Sequence, residues 1–418
     1  MFRVIVTLFL IGILSSTSLQ AAEGSLTLDD AVRMAYQYNP DMQKARKDID
    51  ASKGRKITAS VIQGPEAKFE MGGFKTQKVD GEKITPKKKI DSIEIIQPFD
   101  VPGVRDLRSR IAGNDVKISK GELLLTWAQV YVEVKGTFLD VLYLEEAIKA
   151  AQVNLETARD FLDKVTVNFQ SGNALKSEWL RAKIEVSKAQ EELISAENQV
   201  KLNKAKLNLL LGQPSDKTFS IDGQLSYSSL EVSREKFLQQ AYQSRQDLLN
   251  QRIRLESAGK SVLQSKLSLI PQPFIGFSST KKESDNDYAF IFGAKLSFWD
   301  FNLGEIKEKK ALEEKEKIQL SALEREISNE VDSVILEVEF AKREFEIKKR
   351  EMEEANELLR ESALQYAEGK LNFLTYLENI KTIKETRLSY LSFLKDYAIK
   401  LAELEKIVGG TPIPEGAN

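Results

Sequence analysis

Two hydrophobic rhythms organise the chain. From Val104, apolar residues return at every seventh position, at Ile111, Ile118, Leu125, Val132 and Leu139. Near the end, Tyr390, Leu394, Tyr397, Leu401, Leu404 and Val408 alternate steps of four and three. Such spacing predicts long helices packed as supercoils. An uninterrupted helix between Gly103 and Gly172 would reach ~100 Å, longer than an ordinary globular domain holds. Elsewhere the period is two. Tyr288, Phe290, Phe292, Leu296 and Phe298 share one face of a run whose other face holds Ala289, Gly293, Lys295 and Ser297. That alternation predicts a strand with lipid on one side and water on the other. It is weaker in the runs at 66–74 and 90–99.

Self-comparison shows the pattern twice. "AYQ" at Ala35 recurs at Ala241, an offset of 206, and at that offset Asp41 meets Asp247, Arg46 meets Arg252 and Pro65 meets Pro271. Gly172 meets Gly369 and Gly212 meets Gly409 at an offset of 197, with Leu180 on Leu377 and Leu207 on Leu404 between them. Gly103 and Gly304, 201 apart, are taken as the intermediate landmark. Each half then has one grammar: an amphipathic helix running to a proline, two strands, a very long helix, a glycine turn, and a returning helix.

The expected boundaries are a leader over 1–22, a first repeat over 23–212, a linker over 213–230, a second repeat over 231–409 and a tail over 410–418. The first repeat has strands at 66–74 and 90–99, a long helix at 104–170 and a return helix at 174–211. The second has strands at 273–280 and 288–298, a long helix at 303–367 and a return helix at 371–408. Pro102 disfavours helix immediately before it, so the first long helix should start just beyond. Asn302 suits a helix cap in the second half.

Composition then limits the chemistry. Arg3, the apolar run Val4 to Leu14 and the following "SSTSLQAAEG" read as a secretory leader. That run is shorter than the ~20 residues a spanning helix needs. No later segment is apolar enough for one, so membrane crossing must use strands. Cysteine and histidine are both absent, which excludes disulfides, thiolate chemistry and imidazole ligation. The 61 basic and 63 acidic residues nearly cancel, leaving no field that suggests nucleic acid. "AGKS" at Ala258 lacks the strand-to-helix context of a phosphate loop, and "ESDND" at Glu283 lacks the glycine and final glutamate of a calcium loop. No enzyme site, cofactor or metal is expected.

Each strand is ~9 to 11 residues, enough to cross a bilayer when tilted. Four strands cannot close a barrel, since the smallest membrane barrels use about eight. An open sheet leaves backbone groups unsatisfied in lipid. Chains must therefore share one barrel, with twelve strands from three chains or sixteen from four. Strand hairpins and glycine turns fall at opposite ends of the long helices, so the barrel continues into a helical tube. The fold class is mainly α with a small β part.

At this point the chain resembles the TolC-like outer-membrane efflux protein family. The resemblance lies in "LTLDDAVRMAYQYNP", "QPFDVPGVRDLRSR", "SGNALKSEWLRAKIEVSKAQ" with "LNLLLG", and "EGKLNFLTYLENIKTIKETRLSYL". "QPFDVPGVRDLR" looks most like the heavy-metal branch paired with resistance-nodulation-division pumps. The family implies a homotrimer with a 12-stranded outer-membrane β-barrel and a long periplasmic α-helical barrel. It also implies a periplasmic adaptor and an inner-membrane pump, with substrates passing through unchanged in efflux or type I secretion. A periplasmic adaptor or other coiled-coil protein is the alternative, but adaptors usually carry one helical hairpin between compact β-domains.

Family members often carry acids six and nine positions after the second turn glycine. Here those positions hold Thr375 and Glu378, and the first repeat holds Glu178 and Arg181. These are the tunnel-entrance candidates, where like carboxylates would attract cations; a solvated helix face is the plainer reading. Gly172, Gly369, Leu175, Asn372, Tyr366 and Phe169 are candidates for adaptor contact, or simply for packing of the hairpins. Phe99, Phe298, Trp299 and Phe301 are candidates for a membrane-interface belt, or for packing at the strand-helix junctions. Trp127 and Trp179 are expected to pack within the helical tube.

Overall fold

The computed structural model describes residues 25–71, 77–79, 82–84, 90–231, 233–281, 286–296 and 302–414. The expected leader lies outside these residues, as do Phe298, Trp299 and Phe301. In chain order the elements are α1 (Leu28–Tyr38), α2 (Pro40–Ser60), β1 (Glu66–Met71), β2 (Gln77–Val79), β3 (Glu82–Ile84), β4 (Ile90–Pro98), α3 (Val104–Gln170) and α4 (Lys176–Leu210). The second series is α5 (Arg234–Ser244), α6 (Gln246–Leu267), β5 (Gln272–Lys281), β6 (Asn286–Lys295), α7 (Leu303–Ala367) and α8 (Phe373–Ile407).

The single amphipathic helix expected before each strand pair is two helices. In the first half Asn39 ends α1, its side chain accepts from the Asp41 backbone N–H at 2.9 Å, and Pro40 opens α2. Proline is preorganised for a first helical position and has no N–H to satisfy. The second half breaks at the matching position, Arg245, with no proline. There the guanidinium is held by Asp247 at 2.6 Å and by Glu330. The starts of the long helices also differ from expectation. Gly103 (φ 91°) matches Asn302 (φ 47°), each being the left-handed residue before its helix, while Gly304 lies within α7. Asparagine is among the few other residues that visit this conformation readily.

The helices form a layer in which α4 packs on α3, α3 on α8, and α8 on α7. Helices α1 and α2 pack on α3, and α6 packs between α3 and α7. The largest core lies at this middle level, where Trp127, Phe138, Met42, Leu207 and Leu211 are fully buried with Ala31 and Ala35. Tyr36 meets Trp127 edge-on at 4.9 Å, and the indole donates to the Pro412 carbonyl at 2.9 Å. The linker is laced into this level too: the Leu26 N–H donates to the Ser220 carbonyl at 2.8 Å, and Tyr397 donates to the Ser228 carbonyl at 2.7 Å.

The main sheet is antiparallel in the order β1-β4-β5-β6, so each half supplies one neighbouring pair. Its register sorts the side chains by chemistry. Phe69 lies opposite Ile93, Ala67 opposite Ile95, Ile95 opposite Phe277 and Phe277 opposite Phe290. Ile275 and Phe292 continue that face, on which Phe290 and Phe292 are each 78% exposed. The other face carries Glu66, Lys68, Glu70, Ser92, Glu94, Ser278, Thr280 and Lys295, together with Ile96, Phe274 and Ile291 toward the helical end. Edge strands β1 and β6 pair on one side only among the described residues.

Candidate functional site

Each long helix reverses through the same backbone device. At the first turn the Asn173 N–H donates to the Asn168 carbonyl at 2.8 Å, and the Gly172 N–H to Phe169 at 3.1 Å. At the second, Lys370 donates to Gln365 at 2.9 Å and Gly369 to Tyr366 at 3.1 Å. Both are Schellman caps, which need a left-handed residue after the helix. Gly172 (φ 78°) and Gly369 (φ 71°) supply it. The return helices end the same way at Gly212 (φ 68°) and Gly409 (φ 70°). There the glycine also permits close approach: an added Cβ would lie 2.3 Å from the Tyr38 carbonyl oxygen at Gly212, and 2.7 Å from Ser244 backbone at Gly409. Tyr38 and Ser244 are themselves equivalent, each preceding its half's helix break.

At the two tips, aromatic residues clamp the departing helix to the returning one. Phe169 stacks on Trp179 at 5.5 Å, and Tyr366 stacks on Tyr376 at 4.6 Å. Trp179 also donates to Thr166 at 3.1 Å and lies 3.9 Å beneath the Lys183 ammonium. Lys164 reaches across to the second tip, donating to the Tyr366 hydroxyl at 3.2 Å. Sequence reasoning named Phe169 and Tyr366 for the tips but expected Trp179 only to pack within the helical tube, and did not single out Tyr376. The offset of 197 carries the missing signal, since it places Trp179 on Tyr376.

Two of the candidate residues cap helices. Glu178 accepts from the Leu175 N–H at 3.1 Å, closing the start of α4. Asn372 accepts from the Thr375 N–H at 2.9 Å and from its hydroxyl at 3.1 Å, closing the start of α8. The two equivalent starts thus use opposite halves of one capping arrangement. Arg181 and Glu378 lie exposed at matching positions one turn farther along. Leu175 is 67% exposed. Deeper in the tips, Asn379 donates to the buried Ser362 at 2.8 Å, whereas the equivalent Ala182 and Val165 form an apolar contact with Phe161. Phe99, the described one of the four belt candidates, is exposed at the end of β4 and donates its N–H to the Pro273 carbonyl at 2.9 Å.

The model of the family "Outer membrane efflux protein" matches residues 31–213 and 237–410, one stretch in each half. The cobalt-zinc-cadmium resistance protein CzcC of Cupriavidus metallidurans is 22% identical over 394 residues, covering 93% of this chain and 91% of that protein. Among solved structures, CusC superposes with a TM-score of 0.75 at 13% identity, covering 92% of each chain. The open-state MtrE channel of Neisseria gonorrhoeae gives 0.74 at 15% identity, covering 92% of this chain and 89% of that one. The duplicated helical layer, the four-stranded sheet and the family match over both halves lead to one conclusion: this chain belongs to the outer membrane efflux protein family.

Proposed function

We propose that three copies of this chain close into one conduit, serving as the exit duct through which an inner-membrane pump, joined by a periplasmic adaptor, discharges its cargo. The observation that carries this reading is a pair of open edges at both levels. The sheet ends at β1 and β6, too few strands to close alone. The helical layer ends at α4 and α7, whose outer surfaces expose Ile184, Leu202, Ile318, Leu336 and Phe340. Aliphatic rows on unpaired helices favour burial against another copy, and unpaired strand edges cannot stand in lipid. The sheet's division into apolar and polar faces supports lipid outside and water inside.

The tips are then the periplasmic mouth, where Leu175, Tyr366 and Phe169 with the two glycine turns meet the adaptor. Arg181, Glu378, Glu178 and Thr375 set the charge of the opening. The CzcC resemblance favours divalent heavy-metal cations as cargo. Cross-linking of the purified protein should stop at trimer, and the protein should conduct ions across a planar bilayer. A monomer without conductance would defeat the proposal. For the cargo, deleting the chain's gene should sensitise its host to cobalt, zinc or cadmium; unchanged tolerance would remove that part alone.

A further inference from the structure

Among the described residues, the outward apolar stretch of the sheet is shorter than the apolar band of a membrane. On β5 and β6 the outward apolar residues begin below the polar pair Lys281–Asn286 and run from Tyr288 to Leu296. Those eight steps span ~27 Å along the strand, or ~20 Å of bilayer at a tilt of ~40°, against an apolar band of ~25 Å in outer-membrane barrels. Exposed aliphatic residues continue the band past the strands onto the helix ends. Ile57, Val61 and Ile62 are 69%, 57% and 50% exposed at the end of α2, and Leu269 and Ile270 are 43% and 49% exposed after α6.

In the first half this apolar shelf borders a cleft of about 600 Å³ whose lining includes Ser60, Ile62, Phe99, Asp100, Arg105 and Ser109. Phe99 takes the next outward position after Ile93, Ile95 and Gln97, so the cleft opens where the lipid face of the sheet ends. Its carboxylates are already neutralised: Asp100 pairs with Arg108 at 3.2 Å, and the adjoining Asp106 with Arg110 at 2.8 Å. Its remaining cation is not. Arg105 is exposed and makes no ion pair or side-chain hydrogen bond among the described residues. It also sits in the first turn of α3, where a cation opposes the helix dipole. Arg55 and Lys56, on the last turns of α2 beside Ile57, likewise have no ion-pair partner among the described residues. The second half is different, since α7 opens with an acid, Glu305.

We propose that this junction binds an anionic phospholipid of the periplasmic leaflet, with its phosphate at Arg105 and its acyl chains along Ile62 and Phe99 toward the sheet. Arg55 and Lys56 contact neighbouring headgroups. The site rests on the outer-membrane channel reading and adds the charge class of lipid that the rim selects. Basic side chains beside an apolar band are the arrangement that anionic headgroups match. The aliphatic wall selects a membrane lipid over a free anion.

The test uses full-length protein in nanodiscs of phosphatidylglycerol or phosphatidylcholine, with retained lipid counted by native mass spectrometry after detergent exchange. Wild type should retain phosphatidylglycerol in preference to phosphatidylcholine. Arg105→Gln should lower that retention about fivefold, the effect of one cation at an anionic surface. The triple variant Arg55→Gln, Lys56→Gln, Arg105→Gln should abolish the preference while keeping wild-type conductance. Equal retention by wild type and the triple variant, or equal retention of the two lipids by wild type, would overturn the site. Membrane fractionation of cells expressing the wild type separates the two readings: wild type missing from the outer membrane would sink the channel reading instead.

Discussion

The two hairpin tips share a backbone and differ in chemistry. Both reverse through Schellman caps at a left-handed glycine, and both lock the reversal with an aromatic stack one turn away. Yet the first tip starts its return helix with a glutamate reaching back to Leu175, while the second uses an asparagine reaching forward to Thr375. The exposed residue one turn on is Arg181 in one and Glu378 in the other. Duplication preserved what the backbone demands, and side chains that only had to close a helix diverged. An acidic candidate at such a position therefore has a competing task. Glu178 is needed by α4 whether or not it also faces an opening.

That comparison can be broken most sharply at the glycines. Gly212→Ala and Gly409→Ala should each destabilise the protein by about 4 kcal/mol, because left-handed strain adds to collision with a neighbouring backbone. At Gly172 and Gly369 no heavy atom lies within 4 Å of an added Cβ, so alanine there should cost only ~1 to 2 kcal/mol of strain. Thermal unfolding of the four variants measures the difference, and equal losses would mean that close approach at the return-helix ends is unimportant. Next come the stacks. Trp179→Ala and Tyr376→Ala should each cost about 1 to 2 kcal/mol of local stability, read as faster amide exchange at the respective tip. Protection lost at one tip only would show that the stacks are not equivalent.

The caps sharpen the comparison further. Asn372→Ala should cost ~1 kcal/mol, and Leu175→Asn, which brings the second tip's cap to the first, should recover a few tenths to ~1 kcal/mol in a Glu178→Ala background. Amide exchange at the start of α4 and α8 reports both. Smallest is the effect of charge. Glu378→Gln should lower cation preference in bilayer conductance and Arg181→Gln should raise it; no change in either would assign these residues to solvated helix faces.

Much of the fold was legible because its strongest constraints are local. A left-handed turn demands glycine, a supercoil demands a seven-residue apolar repeat, and both leave marks in a single sequence. The family match over both halves agrees with the repeat found by self-comparison. Misses came where different residues satisfy one physical requirement. Identity drew Gly103 to Gly304, whereas the left-handed position is held by Asn302. The break at Arg245 carries neither proline nor glycine; an ion-pair cluster sits there instead, and its member Glu330 is far along the chain. At the candidate site, Glu178 and Thr375 stood out as charged and uncharged ring positions. Their capping geometry depends on hydrogen bonds that charge alone does not announce.

The return helices α4 and α8 are each 35 residues long, and each runs from a tip turn to a glycine seated on its own half's helix break. Those helices act as two rulers of one length, ~52 Å by helical rise. Inserting or deleting a heptad in one hairpin would leave its core positions in phase but shift its tip by ~10 Å relative to the other. Length in one repeat is thus answerable to length in its twin. A partner that docked across both tips at once would impose that bookkeeping on the two halves, so that changes in tube length would have to arrive in pairs.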